Sequence, residues 1–128
     1  MFKDDKIISL RLSNHAEQRA RERHISLGLI INEFDMLDLD WIEKIKRWPD
    51  EEIILGNVER DIGIVFRING YRIFIITVIG NKLRYSNFDT PIVLTDNEGE
   101  VVSIYNLSVG TVPESKPLKT PIKEMMEG

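Results

Sequence analysis

The sequence predicts an α+β fold in which N-terminal helices pack on a twisted antiparallel sheet. Up to about residue 48, apolar residues recur at helical spacing behind serine and aspartate residues that can cap helices. From residue 52 onward, short β-branched runs are separated by turn residues. Helical segments followed by a strand meander are typical of α+β domains rather than of alternating α/β folds.

Length and composition bound the class of protein. The chain has 128 residues, of which 42% are hydrophobic and 30% charged, as expected for one globular domain. We place this domain at residues 1–108 and expect a mobile tail at 109–128, where three prolines stand among polar residues. The chain has no cysteine and only two histidines. We therefore expect no disulfide, no metal site and no cofactor.

Charge is distributed unevenly along the chain. The net charge of −4 argues mildly against nucleic acid as a partner. However, residues 1–24 and 61–88 carry +2 and +3, whereas residues 25–60 and 89–128 carry −5 and −4. A fold that brings the two basic segments together would create a positive surface. No run approaches the roughly 18 apolar residues of a membrane span, so we expect a cytoplasmic protein without membrane contact.

The first predicted helix runs to about His24. Either Ser13 or Asn14 can cap it, and with Asn14 as the cap Glu17 stands at capping-box spacing. His24 then lies at the helix C-terminus, where the helix dipole favours a cation.

Two further helices are predicted before the strands. Ser26 can cap the second helix. Asp40 and Glu43 have the spacing of another capping box, opening a helical turn over Trp41–Trp48 that Pro49 stops. The two tryptophans are seven residues apart, a spacing that indicates core packing.

Short strands are predicted after the helices, at residues 52–55, 62–68, 71–79, 83–88, 92–95 and 100–106. The segment 71–79 is almost continuously apolar, which is typical of a strand buried on both faces. Asn69-Gly70 is the strongest short hairpin signal, because a type I′ turn needs positive φ at both central positions.

A two-residue loop at Asn69-Gly70 would bring two positively charged side chains together. It places Arg67 directly opposite Arg72, an unfavourable arrangement of like charges that a bound phosphate would relieve. If Gly80-Asn81 is likewise a two-residue loop, Tyr85 lies on the same face, with Phe74 between. This face could then hold an RNA backbone and stack a base. The alternative is that both arginines simply extend into solvent at the end of a hairpin.

The first helix carries the most informative side chains. Residues four apart are offset by only about 40° on a helix, so His15, Arg19 and Arg23 form one row with Glu22 beside it. This row is either a solvated face in which Glu22 pairs locally, or an anion site. In the second interpretation, the two guanidinium groups grip a phosphate and the imidazole moves a proton, as metal-free RNA cleavage requires.

Residues 15–26 match the pattern HAxxRxxERxIS. This segment resembles the opening helix of a family of small bacterial and phage domains of unknown function that carry this motif and look like members of the RelE/ParE toxin superfamily. It is also similar to the corresponding helix of RegB-like phage endoribonucleases. The resemblance covers residues 10–88 approximately. It implies a helix-on-twisted-sheet fold and metal-independent cleavage of mRNA.

The resemblance also implies roles for individual residues. In RegB-like enzymes the histidine and the first arginine of this helix belong to the active site, and they correspond to His15 and Arg19. Arg23 matches the second arginine of the motif. Two positions differ from the pattern: His24 replaces the usual glycine, and Asp35 lies near the place of a second histidine.

The first functional hypothesis is a metal-independent endoribonuclease that cleaves mRNA to a 2′,3′-cyclic phosphate. His15 would act as general base or acid, and Arg19 and Arg23 would stabilise the scissile phosphate. The residues expected to position the RNA are Arg67, Arg72 and Tyr85. The expected partner is RNA, including ribosome-associated mRNA, with a protein inhibitor or host protein as a further partner.

Two alternatives remain open at this stage. One is a catalytically inactive, protein-binding module on the same fold, using the acidic stretch 33–52 and the tail as its contact surface. The other is RNA binding without cleavage, which would be sensitive to salt because phosphate contacts release counterions.

Overall fold

The computed structural model describes residues 2–3, 6–48, 52–60, 62–80 and 90–105. Within these ranges the helices are α1 (Asn14–Glu22), α2 (Leu27–Met36) and α3 (Leu39–Ile45). The strands are β1 (Phe2–Lys3), β2 (Lys6–Ile7), β3 (Ser9–Leu12), β4 (Ile53–Asn57), β5 (Ile62–Asn69), β6 (Arg72–Ile79), β7 (Ile92–Thr95) and β8 (Val101–Tyr105). Tyr85, the strand predicted at 83–88 and the tail at 109–128 lie outside the described residues.

The α+β class is confirmed, but the main sheet is mixed rather than antiparallel. Its six strands stand in the order β3-β6-β5-β4-β7-β8. β3 runs parallel to β6 and β4 runs parallel to β7, while the other neighbours are antiparallel. The prediction of an antiparallel sheet is wrong because β3 and β7 each lie beside a strand that is distant in sequence. β3 itself was not predicted.

Ser13 caps α1 and ties it to the sheet. Its Oγ accepts a hydrogen bond from the Ala16 N–H at 2.9 Å and its hydroxyl donates to the Ile76 carbonyl at 2.8 Å. Its backbone N–H donates to the Ile75 carbonyl at 2.9 Å. Asn14 is already helical, so the capping box that begins at Asn14 is not formed.

The C-terminus of α1 is closed by a Schellman motif centred on His24. The Ile25 N–H donates to the Ala20 carbonyl at 2.8 Å, and the His24 N–H donates to the Arg21 carbonyl at 3.1 Å. This geometry requires a left-handed residue, and His24 has a φ of 56°. His24 therefore occupies the position that favours glycine.

The N-terminus of α2 has a side-chain cap, whereas that of α3 has none. Ser26 caps α2 as predicted, accepting from the Leu29 N–H at 3.1 Å. α3 begins at Leu39 behind Asp38, which makes no side-chain cap bond. The predicted capping box at Asp40 is therefore wrong, because Asp40 already lies inside the helix.

Residues of all three helices join the sheet in one apolar core. The helices contribute the buried side chains Ala16, Ala20, Ile30, Phe34, Ile42 and Ile45. The sheet contributes residues that alternate along its central strands, including Ile64, Phe66, Ile73 and Ile75. Trp48 is buried as predicted, whereas Trp41 is partly buried and lies under the Lys44 Nζ at 4.6 Å. A smaller cluster of Ile54, Val65, Ile92 and Leu94 fills part of the opposite face.

The β5–β6 hairpin turns at Gly70-Tyr71 rather than at Asn69-Gly70. Asn69 pairs with Arg72, and Arg67 pairs with Phe74, so the predicted direct opposition of Arg67 and Arg72 is wrong. Gly70 has a φ of 62°, which suits the first central position of a type II′ turn. The Tyr71 ring packs against the core.

Candidate nucleic-acid interface

The face of the sheet opposite the helices carries a basic and aromatic surface at the hairpin. Phe66, Ile73 and Ile75 point toward the helices, and successive strand residues alternate between faces. Arg67 and Phe74 therefore lie on the other face, together with their neighbours Asn69 and Arg72. The prediction that the strand at 71–79 is buried on both faces fails here, because Phe74 is 39% exposed.

These side chains surround an open groove. Its lining consists of Arg67, Ile68, Asn69, Arg72 and Phe74, and its volume is ≈ 380 Å³. Arg67 forms an ion pair with Glu52 at 3.3 Å, in which the side chains are 54% and 42% exposed. An ion pair this exposed contributes little to stability, so a phosphate can replace the carboxylate.

The edge strand β3 extends the same face. Ser9 pairs with Arg72 and Arg11 pairs with Phe74, which places both β3 residues on the side of the groove. Arg11 is exposed and pairs with Phe74 in the strand register, but the groove that it lines is the one between β3 and α1. Arg11 was not singled out from the sequence, and Asn69 was predicted as a turn residue but not as a site residue. The alternation of polar and apolar residues in Ser9-Leu10-Arg11-Leu12 is the sequence signal that would have indicated Arg11.

The row formed by His15, Arg19 and Arg23 lies on α1 and does not line this groove. Ala16 and Ala20 of α1 are buried in the core, and His15, Arg19 and Arg23 are exposed on the remaining surface of the helix. Arg19 forms an ion pair with Glu22 at 3.0 Å, with side chains 46% and 45% exposed. Gln18 also donates to Glu22, at 3.1 Å. Glu22 thus pairs locally, as the solvated-face interpretation expects.

The two basic segments do not converge on one pocket. α1 lies on the core side of the sheet, whereas Arg67 and Arg72 project from the opposite side. Ser13, where α1 begins, bonds to Ile76, which is four residues and about 13 Å along β6 from Arg72. The residues lining the hairpin groove include none from α1. The sheet therefore separates the imidazole of His15 from the hairpin guanidiniums.

A second groove runs between α1 and the edge strand β3. Its lining residues are Leu10, Arg11, Leu12, Asn14, Glu17, Ala20, Arg21, Ile25 and Leu27. The α1 residues that face it are thus different from the His15, Arg19 and Arg23 row. Its charged lining residues are Arg11, Arg21 and Glu17, and its other lining residues are mostly apolar and include no aromatic ring on which a base could stack.

Two carboxyl groups in the described part of the chain have displaced pKa values. Burial raises the pKa of Glu33, and its hydrogen bond from Asn57 and the charge of Arg60 only partly oppose this. The hydrogen bond from the Tyr71 hydroxyl holds the pKa of Glu43 below its ordinary value, with help from Lys46. Glu33 is 6% exposed, so it cannot contribute to the acidic contact surface predicted at 33–52.

Comparison with known proteins returned no matching family model, no similar curated protein and no similar solved structure. The described ranges contain no group of three or more metal-ligating side chains placed to hold a metal ion. No helix in the same ranges is both long and apolar enough to cross a bilayer. The fold and the groove define the class of protein: a small α+β protein with a basic and aromatic surface on one face of its sheet.

Proposed function

We propose that the protein binds single-stranded RNA on the open face of its six-stranded sheet. The observation that carries the proposal is one groove in which Arg67 and Arg72 accompany the exposed ring of Phe74. Guanidinium groups bind phosphate oxygens through forked hydrogen bonds, and an exposed ring offers a platform on which a base stacks. Single strands are favoured because bases inside a duplex are not free to stack on a side chain.

The acidic net charge does not oppose this proposal. Charges on the surface are largely screened beyond a Debye length of about 8 Å at physiological salt. Among the described residues, the groove lining contains the guanidiniums of Arg67 and Arg72 and no carboxylate, while Glu52 pairs with Arg67 from outside the lining. A phosphodiester at the groove therefore meets an attractive field.

RNA binding is tested by fluorescence anisotropy with a labelled single strand of about 12 nucleotides, a typical site size, in buffer containing EDTA. We expect the double variant Arg67→Ala/Arg72→Ala to bind more weakly. The slope of log affinity against log salt should also become shallower by about 1.4, which is about 0.7 for each lost phosphate contact.

The matched control is Arg47→Ala, compared with the single variants Arg67→Ala and Arg72→Ala, because each of the three removes one positive charge. Arg47 is exposed and lies outside the groove, so its removal changes the net charge without changing the site. Equal weakening by the control and by a groove variant would show a nonspecific charge effect and refute the proposal. Absence of RNA binding by the native protein at low salt would also refute it.

A second candidate function is metal-independent cleavage of the bound RNA. It is favoured by the exposure of His15, Arg19 and Arg23 on one helix and by the resemblance of residues 15–26 to RegB-like endoribonucleases. His15 would take the proton of a 2′-hydroxyl, and the two arginines would stabilise the phosphate. Because the sheet separates this row from the groove, the RNA would pass around the β3 edge to contact both.

Cleavage is tested on total cellular RNA in EDTA, with detection of 2′,3′-cyclic phosphate ends. We expect the products to disappear in His15→Ala and to persist in His24→Gly, which removes the other histidine while retaining the helix terminus. Binding without any cleavage by the native protein would refute this second candidate and leave the first intact.

A further inference from the structure

The Asn69-Gly70 step at the tip of the hairpin combines reactivity with exposure. The chain has eight asparagines, and Asn69 is the only one followed by glycine. Both residues are exposed. A Cβ built at Gly70 would meet nothing within 4 Å, so open space surrounds this residue. Gly70 also has no side chain of its own that could shield its backbone nitrogen from the side-chain carbonyl carbon of Asn69.

We propose that Asn69 is a self-modification site whose conversion to aspartate or isoaspartate weakens RNA binding. The second half of this proposal rests on the proposed function, and the first half does not. The Gly70 backbone nitrogen loses its proton and forms a bond to Asn69 Cγ, while the Cγ–Nδ2 bond breaks and ammonia leaves with that proton. Water then opens the cyclic imide at either carbonyl carbon, producing aspartate or isoaspartate.

The groove promotes the first step. The attacking species is the deprotonated amide nitrogen, and neighbouring positive charge favours a deprotonated group. Arg67 and Arg72 line the same groove as Asn69 and supply that charge. Asn57 offers the contrast within this chain, because it is 2% exposed and its Nδ2 is held by the Glu33 carboxylate.

The product changes the site in two ways. A carboxylate at residue 69 pairs with the neighbouring guanidiniums and repels an incoming phosphate. Isoaspartate also lengthens the backbone by one carbon at the position where Asn69 pairs with Arg72, which disturbs the last pair of the hairpin. Both products reduce the positive charge available to RNA, so the groove would lose affinity as the protein ages.

Mass spectrometry tests the modification without reference to RNA. Trypsin cuts after Arg67 and Arg72 and releases residues 68–72, a peptide whose only side-chain amide is that of Asn69. During incubation at neutral pH this peptide should gain about 1 Da and divide into two product peaks, while peptides containing Asn14 or Asn97 stay unchanged. In Gly70→Ala the conversion should slow by roughly tenfold or more, because the added Cβ shields the nitrogen.

The outcomes separate this proposal from the proposed function. Absence of the mass gain in the folded protein, with gain in the urea-unfolded chain, would overturn the modification whatever the RNA result. If the modification occurs, aged protein and Asn69→Asp should both bind single-stranded RNA several-fold more weakly than fresh protein. Equal affinity of fresh and aged protein would overturn the effect on binding, and absence of binding by fresh protein would overturn the proposed function alone.

Discussion

The side-chain nitrogen of Asn57 lies 3.2 Å from each carboxylate oxygen of Glu33, and both residues are buried. The same nitrogen is 3.2 Å from Asn97 Oδ1. One amide thus joins α2, the end of β4 and the β7–β8 turn. Because burial outweighs this hydrogen bond, the pKa of Glu33 is raised and the ionised carboxylate is held at a cost to stability.

The variant Glu33→Gln tests whether the ionised Glu33 carboxylate lowers the free energy of unfolding. A raised folded-state pKa means that the native form is most stable below the ordinary pKa of 4.5 and loses stability as pH rises through the folded value. Glutamine stays neutral and keeps an acceptor for Asn57, so we expect the variant to be more stable by about 1 kcal/mol at pH 8 and equal near pH 4. Urea unfolding at the two pH values measures this, and a less stable variant at pH 8 would contradict it.

His24→Gly should stabilise the protein. His24 has a φ of 56° at the end of α1, where glycine avoids the steric cost of a Cβ. We expect the free energy of unfolding to rise by about 1 kcal/mol. His24→Ala is the matched control, since it removes the imidazole and keeps the Cβ. A comparable gain in the alanine variant would show that the imidazole, rather than the backbone conformation, is the source.

Gly99→Ala should be far more damaging than Gly70→Ala. Both glycines have positive φ, of 80° and 62°. A Cβ at Gly99 would collide with the backbone carbonyl of Met36, whereas one at Gly70 would meet nothing within 4 Å. We expect losses of about 3 kcal/mol and about 1 kcal/mol respectively, measured by chemical unfolding. Similar losses in the two variants would mean that the contact between α2 and the β7–β8 turn is not close.

Tyr71→Phe should destabilise the protein in a pH-dependent way. The Tyr71 hydroxyl donates to Glu43 at 2.5 Å, and this bond is the main reason why the pKa of Glu43 is lowered. A lowered folded-state pKa contributes stability above the ordinary value of 4.5 and loses it as pH falls through the folded value. We expect a loss of about 1 kcal/mol at pH 7 that shrinks near pH 3. A loss independent of pH would assign the effect to packing.

Substitution of Phe74 distinguishes the contribution of base stacking to RNA binding from that of phosphate contacts. Phe74→Ala should weaken binding of single-stranded RNA by about 1–3 kcal/mol while leaving the salt dependence unchanged, because no phosphate contact is lost. Phe74→Tyr retains the ring and should bind like the native protein. If the alanine variant keeps full affinity in the anisotropy assay, the ring does not stack on a base.

Local signals in the sequence located several elements well. Ser26 caps α2 as predicted, and the hairpin formed by β7 and β8 lies where two β-branched runs flank Asp96–Gly99. The Asp96 side chain accepts from the Glu98 and Glu100 N–H groups at 2.8 Å and 3.0 Å, which closes that turn. Such features depend on residues a few positions apart, so the sequence pattern carries them.

The candidate site was only partly predictable. Arg67, Arg72 and Phe74 were assigned to one sheet face because side chains alternate along a strand, and this held although the predicted register was wrong by two residues. A shift of two preserves the face, whereas a shift of one would have reversed it. The placement of β3 beside β6, which adds Arg11 to this face, depends on residues more than 60 positions apart.

The sequence by itself determined the Ser26 cap of α2, the turn residues between β7 and β8, the α+β class and the row formed by His15, Arg19 and Arg23. Only the tertiary structure decided that this row and the hairpin arginines lie on opposite sides of the sheet. The physical reason is that short-range periodicity specifies which side chains share a surface within one element. The relative placement of two elements follows from how their apolar faces are buried together, and that is a property of the whole core.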